Sequence, residues 1–411
     1  MRRSLTLIFF VLIPVVAHGA TYYVAKTGSN SNTCAQSQTL TTARQTIAAG
    51  LACLAAGDTL TIKAGTYTEG ISIGAIPSGL NDSSRTIVQG AANETVILNG
   101  TGSNGDVIEI SGRQYITVNN LTLTGAPYMG VRIGEGGGLE SSYITLTNLI
   151  IYGNGTAGHD GHGIYTGGTG GQNHHILMQR LKIYHNGFPY LGGNHGHNVY
   201  ITGSDCILED SEIYDAESHG VHVYGATVFS STSRNIIRRN RIHDNGSFGI
   251  MLSSGSDNLA YNNVVYGNSV TYTGSGGIRT YDGCSNCQIY NNTVYNNKNN
   301  GIWVQSGNAG VVKNNISYRN SSSDYVDNAA STTQSFNLFG SDPSFSSVSS
   351  SDFHLKTGSA ALDRGTSLSS VFTTDFDGND RPTGTAYDIG AFEYGTSNLT
   401  PPKNVRVMSI K

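Results

Sequence analysis

The chain has 411 residues, 53 of them glycine, with 13% charged residues and a formal charge of −4. So much glycine and so little charge point to short strands joined by tight turns rather than to long surface helices. With no basic field and no Lys/Arg run, nucleic acid is not an expected partner. The first twenty residues, MRRSLTLIFFVLIPVVAHGA, have a basic start, an apolar run and small residues at Ala17, Gly19 and Ala20, which is the pattern of a secretory signal over 1–20. That run is shorter than the roughly 20 residues of a membrane span, and no later stretch approaches one. An exported protein without a membrane span, extracellular or periplasmic, is expected.

Cys34 and Cys53 flank AQSQTLTTARQTIAAGLA, a predicted short helix, and in an oxidising compartment they are expected to be bridged. Five cysteines leave at least one without an internal partner. Cys284 and Cys287 form a CxxC with no second pair for zinc and no redox context, so a local bridge or core packing is expected there. Cys206 reads as a buried thiol.

From Ile116 onward, short alternating runs return: ITVNNLTL, ITLTNLII, ILMQRLKI, IIRRNRI, LAYNNVV, QIYNNTV and VVKNNIS. Their last apolar positions are Leu123, Ile151, Ile183, Ile213, Ile242, Val265 and Val294, followed less well by Ser317, at steps of 23 to 32 residues. Alternation of Val, Ile, Thr and Tyr predicts strands, and the step predicts one coil of three short strands. Asn120, Asn263, Asn292 and Asn315 are placed at the bend, where Asn tolerates a left-handed backbone and amides can bond from coil to coil. A third strand follows in each coil, as GVRIG, GIYTG, NVYIT, GVHVY, GIMLS, GIRTY and GIWVQ. A further column of Tyr152, Tyr184, Tyr214, Tyr266, Tyr295 and Tyr318, broken by His243, is assigned to ring stacking and left out of the site.

This pattern resembles the right-handed parallel β-helix of the pectin-lyase-like superfamily, over about 21–394. The front, TYYVAKTGSN and AGDTLTIKAGTYTEGI, resembles the first coil of secreted polysaccharide lyases and epimerase-like proteins of that superfamily. The back, DFHLKTGSAALDRG and TDFDGNDRPTGTAYDIGAFEY, is similar to the closing segment of such proteins. The expected fold is therefore all-β, a single-stranded parallel β-helix with three strands per coil. Residues 21–70 form an N-terminal cap and first coil, 340–394 a C-terminal capping segment, and 395–411 a linker and tail. The resemblance implies a secreted carbohydrate-active protein with a polysaccharide partner, acting as a monomer.

In the third strand the residues between the inward apolar pairs must point out, giving the column Arg132, Tyr165, Tyr200, His222, Met251, Arg279 and Trp303, at about 4.8 Å per rung. Aromatic faces stack on sugar rings and arginine forks hold carboxylates, so this stripe suits an extended glycan. Three coils lengthen the connection into that strand, with the loops NGTAGHDGH, NGFPYLGGNHGH and GNSVTYTGSG. Ten of the 12 histidines lie between His159 and His243. His162, His197 and His219 share one turn position and are expected to bond neighbouring coils. The predicted groove is floored by Tyr165, Tyr200 and His222 and walled by loops carrying His159, Asp160, Tyr190 and His195.

β-Elimination needs a base beside a uronic acid carboxylate, a group that neutralises that carboxylate and an acid for the leaving oxygen. His222 is the expected base, Tyr200 the acid or alternate base, and Arg279 or Arg132 the carboxylate clamp, with His195, His159 and Asp160 around them. Arg132, Tyr165, Met251, Trp303 and Tyr190 are expected to bind substrate. A C5-epimerase would use the same parts. A hydrolase would need two carboxylates, from Asp160, Asp215 and Glu217. The GHG at Gly161 is similar to a polygalacturonase motif, but the paired aspartates and Asn-Thr-Asp of that family are missing. A non-catalytic glycan-binding β-helix is the remaining class. Calcium, which many related lyases use, would fall to Asp205, Glu209 and Asp210, although no EF-hand or nonapeptide pattern is present. No metal site is assigned, a transition-metal site at His159, Asp160 and His195 being the weaker alternative.

Overall fold

The computed structural model describes residues 19–101, 105–134, 136–155, 161–167, 173–187, 195–225, 232–305, 309–329 and 331–395. Residues 1–18 of the expected signal lie outside this set. Three parallel sheets run side by side along the chain. The first has twelve strands, from Thr21–Val24 to Thr333–Ser335; the second has eleven, from Gly65–Tyr67 to Leu338–Phe339; the third has nine, from Ile108–Ser111 to Tyr325–Asp327. From Thr86–Gly90 through Tyr325–Asp327 each coil contributes one strand to each sheet, so the fold is a parallel β-helix.

Alternation explains the core. Val131, Ile164, Val199, Val221, Ile250, Ile278 and Ile302 of the third sheet are fully buried, and they join the inward residues of the other two sheets in one continuous core. Asparagine amides line the corners. Asn240, Asn263, Asn292, Asn315 and Asn337 form one ladder, each Nδ2 donating to the next Oδ1 at 3.0–3.1 Å. Asn120 is not in it: its left-handed φ of 54° matches Asn262 and Asn291, one position earlier, and the ladder position beside it is Leu121. A second ladder, which the repeat reading missed, links Asn154, Asn186, Asn198, Asn245, Asn268, Asn297 and Asn320.

At the N-terminal end the helix Ile47–Leu51, capped by the Thr46 side chain, closes the lumen. Its Gly50 lies so close to Val24 and Leu60 that any Cβ there would collide with them. Cys34 and Cys53 are bridged beside it. Cys284 and Cys287 are bridged as well, and Cys206 is a buried thiol whose pKa burial pushes up to about 12.

The segment expected to cap the C-terminal end does something else. Residues 343–394 lie along the outer side of the last coils, where Phe353 packs on Tyr266 and Tyr295, and Phe372 stacks on Tyr261 at 4.5 Å. The far end of the lumen is instead met by Tyr325 and Phe339 of the last coil, stacked at 4.6 Å. The segment carries apolar side chains but no repeat, and the coil edges it covers already hold a complementary apolar strip. The tyrosine column stacks as expected, with Tyr152, Tyr184, Tyr214, His243 and Tyr266 at centroid spacings of 4.8–5.1 Å.

Candidate functional site

The outward column of the third sheet is in register rung by rung: Arg132 opposite Tyr165, Tyr165 opposite Tyr200, then His222, Met251, Arg279 and Trp303. Tyr165, Tyr200, Arg279 and Trp303 are half-buried, as is Arg132. His222 and Met251 are only 8% exposed, against the expectation of an open groove floor. Wide side chains at about 5 Å spacing shield one another, and two flanking columns, one with His197, His219 and Phe248 and one with Tyr224, Ser253 and Tyr281, close over the middle rungs.

His162, His197 and His219 form the expected ladder. The backbone N–H of His197 donates to His162 Nδ1 at 3.1 Å, that of His219 to His197 Nδ1 at 3.3 Å, and that of Phe248 to His219 Nδ1 at 3.2 Å. The rings stack at 5.2 and 4.7 Å. A backbone N–H can only donate, so each Nδ1 must be a bare acceptor and each proton must sit on Nε2. From His197 that proton points at His222 Nδ1, 3.1 Å away, and His222 in turn directs its Nε2 proton at Ser253 Oγ, 3.3 Å away. Burial, reinforced by neighbouring positive charge, pushes His162 and His219 down to about 3 and holds His197 and His222 well below the usual imidazole range. All four rings are therefore neutral.

His197, His219 and His222 bring ligand-type nitrogens within 4.8 Å of one another. They do not fit a metal ion as arranged. The Nδ1 atoms of His197 and His219 are taken by backbone donors, and the Nε2 atoms left to face an ion carry the protons, so both rings would have to become anionic imidazolates. The hydrogen bonds also correct the expectation for His222. Its one lone pair already accepts from His197, which leaves no nitrogen ready to take a substrate proton.

Tyr200 is the accessible member of this cluster. Its ring stacks on His222 at 5.1 Å and 11°, meets His162 and His197 edge-on at 5.1 and 5.2 Å, and lies 5.4 Å from Tyr165. His195 is exposed nearby, and its charge is among the causes that depress all four buried imidazoles. Glu217 is buried at the same edge, where it accepts from the Gly196 N–H at 3.0 Å and from the Tyr272 hydroxyl. Tyr272 belongs to the inserted loop 267–276, so this insertion does rise beside the cluster. His159, Asp160 and Tyr190 lie outside the described residues. Asp215 does not join Glu217: it pairs with His185 at 2.9 Å on the outer edge of the second sheet. Among the described residues the cluster thus lacks the second carboxylate that hydrolysis requires.

The two arginines differ. Arg132 donates to the buried Asp106 at 2.6 Å and is thereby neutralised, two rungs from Tyr200. Arg279 lies between Phe248, Tyr281 and Trp303, with its Cζ 5.3, 4.4 and 4.1 Å from their ring centroids. It donates to Gln305, and no carboxylate pairs with it among the described residues. It stands three rungs from Tyr200, about 14 Å, too far to clamp a carboxylate reacting there.

The carboxylates considered for calcium are engaged by arginine. Asp205 holds Arg234 through both oxygens at 2.7 Å, Glu209 holds Arg238 and Arg239 at 2.6 and 3.0 Å, and Asp210 holds Arg239 at 2.7 Å. These residues do not fit a calcium site.

Residues 162–339 match the family model described as the right handed beta helix region. Among solved structures, the chain is similar to pectate lyase Pel9A, at 17% identity and a TM-score of 0.56, covering 92% of this chain and 97% of that one. It is similar to XylC in complex with xylose, at 14% identity and a TM-score of 0.55, covering 77% and 70%. The alginate lyase from Paenibacillus sp. str. FPU-7 matches at 14% identity and a TM-score of 0.51, covering 70% of this chain and 97% of that one. Identities at this level carry the fold and not the reaction. No curated protein sequence matches the chain. Three stacked parallel sheets, the family match across the central coils and these shared folds together show that the chain is a right-handed parallel β-helix.

Proposed function

We propose that the chain is a polysaccharide lyase or C5-epimerase acting on a uronic-acid-containing glycan, with Tyr200 as its proton-transferring residue. The observation that carries this reading is the pairing, on one outward column, of an accessible tyrosine backed by neutral imidazoles with an arginine that has no carboxylate partner among the described residues. Such a column suits a chain of sugars that are flat on one face and negatively charged at intervals. Two of the similar folds are named as a pectate lyase and an alginate lyase, which makes those polymers the first substrates to test.

In elimination, the C5 proton beside the carboxylate is removed, its bonding electrons form the C4–C5 double bond, and the C4–O bond breaks as that oxygen gains a proton. A tyrosine with its hydroxyl over the ring can serve either proton step. His222 stacks against the Tyr200 ring from the next rung, and the exposed His195 is a second proton-transfer candidate at the rim. An epimerase would return the proton to the opposite face of C5.

Purified protein is incubated with pectate, alginate and other uronic-acid polymers while ultraviolet absorbance reports unsaturated products, a reducing-end assay reports cleavage and NMR reports epimer content. Unsaturated ends or changed epimer content that Tyr200→Phe abolishes is the expected result. New reducing ends without unsaturation indicate a hydrolase, and binding without product indicates a non-catalytic glycan receptor; either overturns the proposal.

A further inference from the structure

Arg279 stands at the far end of the imidazole cluster, near enough that its charge helps to depress His219. Its guanidinium lies over Trp303 and Tyr281 and against Phe248. Trp303 is itself held in place, its Nε1 donating to Asn328 Oδ1 at 2.8 Å. Among the described residues Arg279 Nε is buried without a hydrogen-bond partner, and Nη2 donates to the neutral amide oxygen of Gln305. The stretches 226–231 and 306–308, next in sequence to strands on either side, contain no Asp or Glu. Arg132, Arg234, Arg238 and Arg239, by contrast, each hold a carboxylate of the adjacent coil, and Arg180, which holds none, is bonded instead to Asn148 and Thr147. A guanidinium desolvated by rings with its charge uncompensated is costly to keep unless an anion arrives to complete it.

We propose that Arg279, Trp303, Tyr281 and Phe248 form a subsite, separate from the reaction centre, that recognises the carboxylate of a single uronic acid three rungs from Tyr200. The inference rests on reading the groove as a glycan site, and it specifies the substrate further. A sugar unit of an extended glycan advances by about one rung, so a chain reacting at Tyr200 reaches Arg279 only when it is about four sugars long. The aromatic rings receive the sugar face, and the arginine fork receives the carboxylate in two parallel hydrogen bonds. Acidic polymers, rather than short fragments or neutral polymers, are the ligands this geometry selects.

Trp303 is the chain's only tryptophan, so its fluorescence reports this subsite alone. Oligogalacturonates and oligomannuronates of increasing length are titrated into the protein, with cello-oligosaccharides of the same lengths as neutral controls. The expected result is an emission change with acidic oligomers from about four sugars upward, little change with shorter ones and none with neutral ones. Arg279→Gln should weaken acidic binding by about tenfold or more, and Arg279→Lys should restore part of it by keeping the charge without the fork. Calorimetry on Trp303→Phe, which keeps Arg279 and a ring beside it, should show weaker binding but still a preference for acid over neutral oligomers. Equal binding of neutral oligomers, equal binding of the shortest acidic fragments, or indifference to Arg279→Gln overturns the subsite. The readout is binding, so it separates from catalysis. Charge-selective binding without any product sinks the lyase reading and leaves the subsite standing, whereas turnover with charge-indifferent fluorescence does the reverse.

Discussion

His197 donates its imidazole N–H to His222. The 3.1 Å bond between His197 Nε2 and His222 Nδ1 has a fixed direction, because His197 Nδ1 already accepts the backbone N–H of His219. The ring expected to act as the base is thus committed to a member of the histidine ladder, and the neighbouring half-buried Tyr200 is the more accessible of the pair.

Tyr200→Phe should lower turnover on a processed polymer by roughly 100-fold or more while unfolding like the wild type, since a half-buried hydroxyl contributes little to stability. His222→Ala should behave differently: it removes two buried hydrogen bonds and a ring stack, at about 1–3 kcal/mol of stability. Parallel turnover and urea-unfolding measurements check both. Full activity in the Phe variant removes Tyr200 from the mechanism.

Stability should fall in mild acid. The unfolded chain protonates its histidines near pH 6.5, whereas His162 and His219 stay neutral in the folded state down to about 3, and His197 and His222 are likewise depressed. Between those values the unfolded state binds more protons, so stability present above about pH 6.5 is progressively lost as pH falls, at about 1.4 kcal/mol per pH unit for each imidazole. Chemical unfolding at several pH values from about 7 to about 4.5 measures the slope. His219→Gln should make it shallower by one proton; an unchanged slope refutes the buried neutral assignment for that ring.

The coils were legible because period-two alternation and a fixed offset from the last inward residue survive insertion and deletion. The outward column was legible for the same reason, and all seven of its residues fall in register. What alternation cannot supply is sideways cover. It says that His222 points away from the lumen, but not that rings three positions earlier in the neighbouring coils fold over it. The second asparagine ladder had a readable signal that passed for turn residues: Asn154, Asn186, Asn245, Asn268, Asn297 and Asn320 each follow the last apolar position by three residues. The resting place of residues 343–394 had no such signal, since it depends on contacts between segments up to about a hundred residues apart.

Arg381 is the residue on which that segment turns. It is buried, pairs with Glu393 at 2.6 Å, and donates to Asn262 Oδ1 and the Gly390 carbonyl. Arg381→Met should cost about 3–5 kcal/mol by leaving the Glu393 charge buried and unpaired. Limited proteolysis should then release fragments from 343–394 ahead of the coils. Resistance equal to wild type would show that the apolar contacts suffice alone.

Replacing Cys34 and Cys53 together by Ser should lower stability by about 3 kcal/mol on loop entropy. Hydrogen exchange should localise the loss to the N-terminal helix and first coil. Both thiols alkylating freely in the native protein would contradict the bridge.

A stack of coils that touch only their neighbours can peel from an end one layer at a time. The C-terminal segment forbids this over its reach, because it is bonded to Arg241, Asn262, Asn291 and Asn314, each in a different coil. It acts as a splint: no spanned coil can open until the segment lifts from all of them. The same coils carry Met251, Arg279 and Trp303 on the opposite flank. The wall that carries the proposed subsite is therefore held stiff from behind, and the spacing of its rungs stays constant.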